Sequence, residues 1–408
     1  MRQASPSPGR RTYVVGCDVR QDTRVFSGIT FHLAQQGVKD GLLTGMMNLH
    51  PRGIGDWAVY ARAGIWKLRG GFRSRHGFIF TDGYLKSIWK RSLPALQGST
   101  VINNFQLFGS HFLRWHDAFG IVPYFYIDAT LGEYFSDYRA FDTAEIDKLA
   151  MRQALAAEGY GYANCRKIVV MSKRSASYIV RQYDVPPDKI HIVPPGANIP
   201  EPLLVSLENR PERSLLTDKR KLVVGFIGLY PERKGLPTIA EAVRLLRQSG
   251  FDIRLHVIGK CPPEIAQQDG IIHFGLIDKR VDIERFIEIV ANVDVGCMLS
   301  RAENAGIALL EFLRMGVPII ATDVGGIPDI LELGAGQLVP PEITADDLAQ
   351  HLARLIDDPD QMAELKQRAW HRRHNASWRR AVRELMGVLN RPSAREIGDE
   401  AVGHHRQP

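Results

Sequence analysis

Short unbroken apolar runs alternate along this chain with longer stretches in which apolar residues recur every three or four positions. The runs are 12–17, 99–103, 121–128 and 167–172, then 222–227, 254–259, 271–274, 294–298 and 319–321. Runs of this length, rich in Val, Ile and aromatic residues, read as strands of parallel sheets buried on both faces. The helical period occupies 29–38, 146–164, 173–183, 237–248, 282–291, 345–357, 361–373 and 378–389, with Ser172 as an N-cap. Strand, small-residue turn, helix and strand again is the doubly wound α/β pattern, and it occurs twice.

Length agrees with that reading, because 408 residues exceed the ~250–300 over which a single core keeps growing. The expected layout is an N-terminal Rossmann-like domain over 12–200, a polar, proline-punctuated linker over 201–220, and a second Rossmann-like domain over 221–375. Pro194-Pro195-Gly196 makes a stiff turn at the end of the first. Residues 1–11 read as a flexible lead-in and 391–408 as a disordered tail.

Candidate chemistry concentrates in 298–329, which reads strand, polar loop, helix, tight turn, strand. Glu303 falls in the loop and Glu311 in the first turns of the helix, with Gly306 between them. Glycine there lets backbone N–H groups at a helix start approach a ligand, at the end that carries partial positive charge. Ala305 and Ile307 flank it, and the group suits a diphosphate with carboxylates accepting from sugar hydroxyls. An ordinary acidic surface helix has the same spacing, so the two Glu alone leave both readings open. Upstream, 228–235 places Arg233 and Lys234 in a glycine-bounded loop before a helix. A forked donor and a point charge beside a helix N-terminus suit the same diphosphate.

In the first half, Ser27-Gly28 opens a helix and serves either as its N-cap or as a surface for donor phosphates or acceptor. Asp128 ends a strand where open parallel sheets place ligand-binding groups; it either binds a sugar or caps the next segment.

Composition adds an electrostatic constraint. The formal net charge of +7 suits an anionic partner. The segment 62–93 interleaves eight Lys and Arg with Trp, Phe and Tyr around one acid, Asp82. That mixture fits either an anionic membrane surface or a solvated basic face over buried rings. No nucleic-acid-binding motif is present, so nucleic acid is not an expected partner. No run of about 18 apolar residues suggests a membrane span, and the N-terminus shows no signal-peptide pattern. The four cysteines are scattered without a CxxC or Cys/His cluster. No metal and no cofactor are expected, and the location expected is a reducing cytoplasm, with peripheral contact at the inner face of the membrane.

The chain resembles the retaining glycosyltransferases of family 4. Glu303, seven residues and Glu311 match that family's donor signature, and the flanking 300–311, the Gly-Val-Pro strand at 316–321 and the turn 325–329 agree in register. The stretch 188–198 (ending Pro-Pro-Gly-Ala-Asn), Arg233-Lys234-Gly235 and the segment 374–378 opening the final Trp378 helix agree as well. The resemblance implies the GT-B fold, two Rossmann-like domains facing a cleft, with the helix 376–390 returning to the N-terminal domain. It implies transfer of a sugar from a nucleoside-diphosphate sugar to a saccharide or lipid-linked acceptor, with retention, in cell-surface polysaccharide or glycoconjugate synthesis. Glu303 would contact the donor sugar, Glu311 the ribose hydroxyls, and Arg233 with Lys234 the diphosphate. Two positions depart from the family. Leu229 stands where the family's arginine is commonest, and the segment 128–130 reads Asp-Ala-Thr where many members have a histidine. A catalytically inactive GT-B-fold binding or scaffold protein is the alternative reading, and a same-fold enzyme using a sugar phosphate or inorganic phosphate instead of a nucleotide sugar is another. A nicotinamide dehydrogenase is disfavoured, since no G-x-G-x-x-G follows the first strand.

Overall fold

The computed structural model describes residues 10–16, 28–49, 57–69, 78–104, 107–137, 146, 148–201, 203–204 and 221–391. Ser27, Cys17, most of the linker 201–220 and all but the first residue of the tail 391–408 lie outside the described residues. The chain divides into two compact units, Pro195–Arg380 and a first unit of Met1–Pro194 with Ala381–Pro408. The sequence had suggested borders near 200 and 375.

In the first unit the strands are β1 (Thr12–Gly16), β2 (Gly45–Asn48), β3 (Thr100–Asn103), β4 (Val122–Ile127), β5 (Lys167–Val170) and β6 (Ile190–Ile192). All pair in parallel, in the order β2-β1-β3-β4-β5-β6. Phe125 stands opposite Ile168 in the register of β4 with β5. Its ring meets Phe108 at 4.7 Å and Tyr162 at 5.1 Å between centroids. Trp89 continues the stack 4.2 Å from Phe112. These rings, all buried, form the centre of the core between the sheet and its helices. The helix Lys173–Tyr183 begins where Ser172 accepts from the Ser175 N–H, as its sequence predicts.

The turn after β4 is held by two buried carboxylates. Thr130 donates from both its N–H and its hydroxyl to Glu133 Oε2, each at 3.0 Å, and its hydroxyl accepts from the Glu133 N–H. Glu158, from the helix Lys148–Asn164, accepts from the Leu131 N–H at 2.6 Å, from Tyr162 at 2.9 Å and from the Tyr183 hydroxyl. Asp128 Oδ1 accepts from the Ala129 N–H at 2.9 Å. The Asp-Ala-Thr departure is therefore a helix start stapled from below, with Asp128 closing its own turn.

The second unit contains β7 (Lys221–Gly228), β8 (Asp252–Gly259), β9 (Ile271–Gly275), β10 (Val295–Met298), β11 (Ile319–Thr322) and β12 (Gly336–Val339). These strands are also all parallel, ordered β12-β11-β10-β7-β8-β9. Strand order reverses between β7 and β10, and the carboxyl ends of that pair form the switch-point crevice of a doubly wound sheet. The helix Ile307–Arg314 comes close to the sheet just there. Gly225 and Gly296 stand opposite each other in β7 and β10. A Cβ on Gly296 would lie 2.4 Å from the Phe312 ring, and one on Gly225 2.9 Å from it. Two bare strand positions thus admit an aromatic ring that a side chain would push away.

Burial pushes the Glu158 carboxyl up to about 7, although the donors from Tyr183, Leu131 and Tyr162 pull the other way. Between its ordinary value of 4.5 and about 7, the folded chain keeps a proton that the unfolded chain has lost. Stability should fall as pH rises through that window, by up to about 3 kcal/mol. Chemical denaturation between about pH 5 and about pH 8 should show this slope in the wild type and a flatter profile in Glu158→Gln.

Candidate active site

The site residues of the second unit come together because two loops at the switch point are laced by their backbones. The loop after β7 runs to Gly235 and the helix Leu236–Gln248; the loop after β10 runs to Gly306 and the helix Ile307–Arg314. The Leu299 N–H donates to the Lys234 carbonyl at 3.1 Å and the Arg301 N–H to the Arg233 carbonyl at 2.9 Å. This short ladder fixes the register between the two loops. It carries the side chains of Arg233 and Lys234 to Glu303.

Lys234 Nζ lies 2.9 Å from Glu303 Oε2 and also contacts Met298 Sδ at 3.3 Å. Arg233 Nη1 lies 3.6 Å from the same carboxylate oxygen and donates to the Ala302 carbonyl. Ser300 Oγ adds a contact at 3.4 Å. Burial disfavours the charged form of Glu303, but the Lys234 and Arg233 charges outweigh it and hold the carboxyl below its ordinary range. The backbone of Glu303 is equally constrained. Its carbonyl accepts from the Gly326 N–H at 3.2 Å, and a Cβ on Gly325 (φ 59°) would lie 1.7 Å from that oxygen. The Gly-Gly turn of the sequence is thus the floor under Glu303.

Two cations meet on one carboxylate. Arg301, exposed in the same loop, adds a further cation. Gly306, with φ 49°, is the N-cap of the following helix, and Ala305 and Ile307 on either side are buried. A helix start leaves its first N–H groups without intrahelical acceptors and carries partial positive charge. Cations on one loop and a helix N-terminus at the end of the other are groups of the kind that bind phosphate.

Glu311, on the second turn of that helix, is almost fully buried. Its carboxylate pairs with Lys279, whose Nζ also lies 4.9 Å over the Phe286 ring. Lys279 was not foreseen from the sequence. It sits in the polar turn between β9 and the helix Ile283–Ala291, and only the need of a buried carboxylate for a partner points to it. Leu229, where the resemblance leads one to expect arginine, is half-exposed, and the guanidinium of Arg233 packs 5.2 Å from the Tyr230 ring.

The first-unit candidates are placed separately. Gly28 takes the left-handed conformation, φ 76°, as N-cap of the helix Ile29–Lys39. Two residues on, Thr30 donates to Asn104 Oδ1 at 2.5 Å, beside the carboxyl ends of β1 and β3. Asp128 is half-buried at the end of β4.

Residues 209–372, most of them in the second unit, match the family model described as Glycosyl transferases group 1. The MMP alpha-(1->4)-mannosyltransferase of Mycolicibacterium hassiacum is 24% identical over 260 residues, 60% of this chain and 60% of that protein. The chain spans about three-fifths of the length of the curated relatives it matches. Sucrose-phosphate synthase from Thermosynechococcus elongatus shares the fold with a TM-score of 0.63 at 16% identity, over 93% of this chain and 98% of that one. HepE of Anabaena, solved in complex with UDP and glucose, gives 0.59 at 12% identity, over 94% and 100%. These structures are GT-B glycosyltransferases, and the two six-stranded sheets of this chain follow that fold.

Lys234 and Glu303 should be strongly coupled. Lys234→Met leaves a largely buried carboxylate short of a partner and should cost about 3 kcal/mol or more, as should Glu303→Gln for the stranded cations. In urea denaturation of both single variants and the double, the double should cost clearly less than the sum.

Proposed function

We propose that this protein is a retaining glycosyltransferase, moving a sugar from a nucleoside-diphosphate sugar to a saccharide or lipid-linked acceptor in cell-surface polysaccharide or glycoconjugate synthesis. The observation that carries the reading is the convergence of Arg233 and Lys234 on Glu303 beside the helix N-terminus at Gly306. Support also comes from the glycosyl transferases group 1 match and from a shared fold with HepE, whose solved complexes contain UDP and UDP-glucose.

In the proposed reaction the bond between the anomeric carbon and the β-phosphate oxygen breaks, and negative charge grows on the leaving diphosphate. Lys234 and Arg233 are already held on Glu303, so they stabilise that growth without first being assembled. The helix N–H groups near Gly306 face the same charge. Glu303 positions the donor sugar while keeping the cations in place. Glu311 takes the ribose hydroxyls, with Lys279 yielding or sharing the carboxylate. The acceptor hydroxyl bonds to the anomeric carbon on the face the leaving group vacates, and its proton passes to a leaving phosphate oxygen. Retention follows from attack on that face.

Thermal unfolding with UDP, GDP and ADP should show stabilisation by at least one of them, about 2.7 kcal/mol at a hundredfold excess over Kd. With the matching nucleotide sugar, Lys234→Ala should lower turnover by roughly a hundredfold or more. No stabilisation by any nucleotide, or wild-type turnover in Lys234→Ala, would overturn the reading.

A further inference from the structure

We infer that the helix Trp57–Arg69 seats the protein on an anionic phospholipid surface through an apolar stripe that the fold leaves uncovered. On this helix Trp57 is 69% exposed, Tyr60 51%, Ile65 49% and Leu68 82%. At 100° per residue these four side chains fall within about 140° of one face. The opposite face is the attached one: Val59 packs on the core of the first unit, and the Trp66 ring lies 6.5 Å from Phe78. Ile79, close in sequence to the ring contact, is a further exposed apolar residue at 41%. Four large apolar side chains gathered on one surface helix exceed the single exposed residues normal for a soluble surface.

Charge selects the occupant. Between Trp57 and Thr81 the chain carries Arg62, Lys67, Arg69, Arg73 and Arg75 and no acidic residue. Lys86, Lys90 and Arg91, on the next helix Asp82–Ser92, are exposed as well. A second copy of the chain docking here would bring like charges together, which costs affinity. Anionic headgroups are attracted by such a segment, and Trp and Tyr favour the headgroup level. The helix has 13 residues, against the ~20 a span requires, and among the described residues no helix is long and apolar enough to cross a membrane. It therefore fits lying in the interface, apolar face down. The expectation of membrane contact through 62–93 is thereby narrowed to one helix, with its stripe beginning earlier, at Trp57.

The full-length protein is tested by co-sedimentation with vesicles of phosphatidylcholine alone and of phosphatidylcholine mixed with phosphatidylglycerol. Binding is expected to the mixed vesicles only, to weaken with added salt, and to shift the emission of Trp57 to the blue, identified by comparison with Trp57→Phe. Ile65→Ser combined with Leu68→Ser should lower the partition at least roughly tenfold while leaving the circular dichroism spectrum and nucleotide-sugar turnover unchanged. Equal binding to both vesicle types, no binding, or binding unaltered in the double variant would overturn the assignment. So would a lipid-free dimer, seen by ultracentrifugation, that the double variant abolishes. Should the double variant misfold, the lipid and salt dependence of the wild type still decides. Membrane seating is independent of donor chemistry, so either can fail alone.

Discussion

A carboxylate kept ionised with little access to water is the constraint on which the second unit's site depends. Glu303 stays charged because two cations and a hydroxyl surround it, and an unpartnered charge at such a depth is costly. Satisfying it dictates much of the local structure. The loops after β7 and β10 must be laced in one register, and the Gly325-Gly326 turn must press against the Glu303 carbonyl. The same arrangement gathers Arg233 and Lys234 at the crevice where the strand order reverses.

Close approach of a helix to the sheet sets the far end of the second loop. Phe312 rests on two strand glycines and brings the N-terminus of Ile307–Arg314 up to the loop that carries Glu303. One turn further along, Glu311 is pinned by Lys279 from a separate loop. The first unit uses a related device for a different end. There Glu133 and Glu158 hold the turn after β4 from beneath, through threonine and tyrosine hydroxyls and backbone N–H groups, with Arg174 3.7 Å from Glu133 as the cation. Glu158 is accordingly pushed towards neutrality, whereas Glu303 is held charged.

Much of this was legible in the chain because local and global preferences agree. The helix Lys173–Tyr183 has a serine cap and a clean apolar period, and its observed bounds are those expected. The strands at the centre of the second sheet are apolar runs that only a two-faced parallel sheet can bury. Legibility failed where an element is short or its side chains point to another period. The strand Gly45–Asn48 has no β-branched residue, and Gly336–Val339 carries a central glutamine. Ile190–Ile192 is only three residues long and runs into the Pro194-Pro195-Gly196 turn. Helices Trp57–Arg69 and Asp82–Ser92 were hidden by aromatic and basic residues spread over several faces. The spacing of Glu303 and Glu311 marked the site, but their partners come from loops far away in sequence. Lys234 was found through its own motif; Lys279, with no motif, was not.

Calorimetric titration of nucleosides and their diphosphates into the wild type and Lys234→Ala tests the diphosphate seat most directly. If Lys234 and its neighbours hold the diphosphate, the diphosphate should bind at least about tenfold more tightly than its nucleoside, a gap of about 1.4 kcal/mol. That gap should largely close in the variant. Equal affinity for nucleoside and diphosphate in the wild type, or a gap that survives the loss of Lys234, would contradict it.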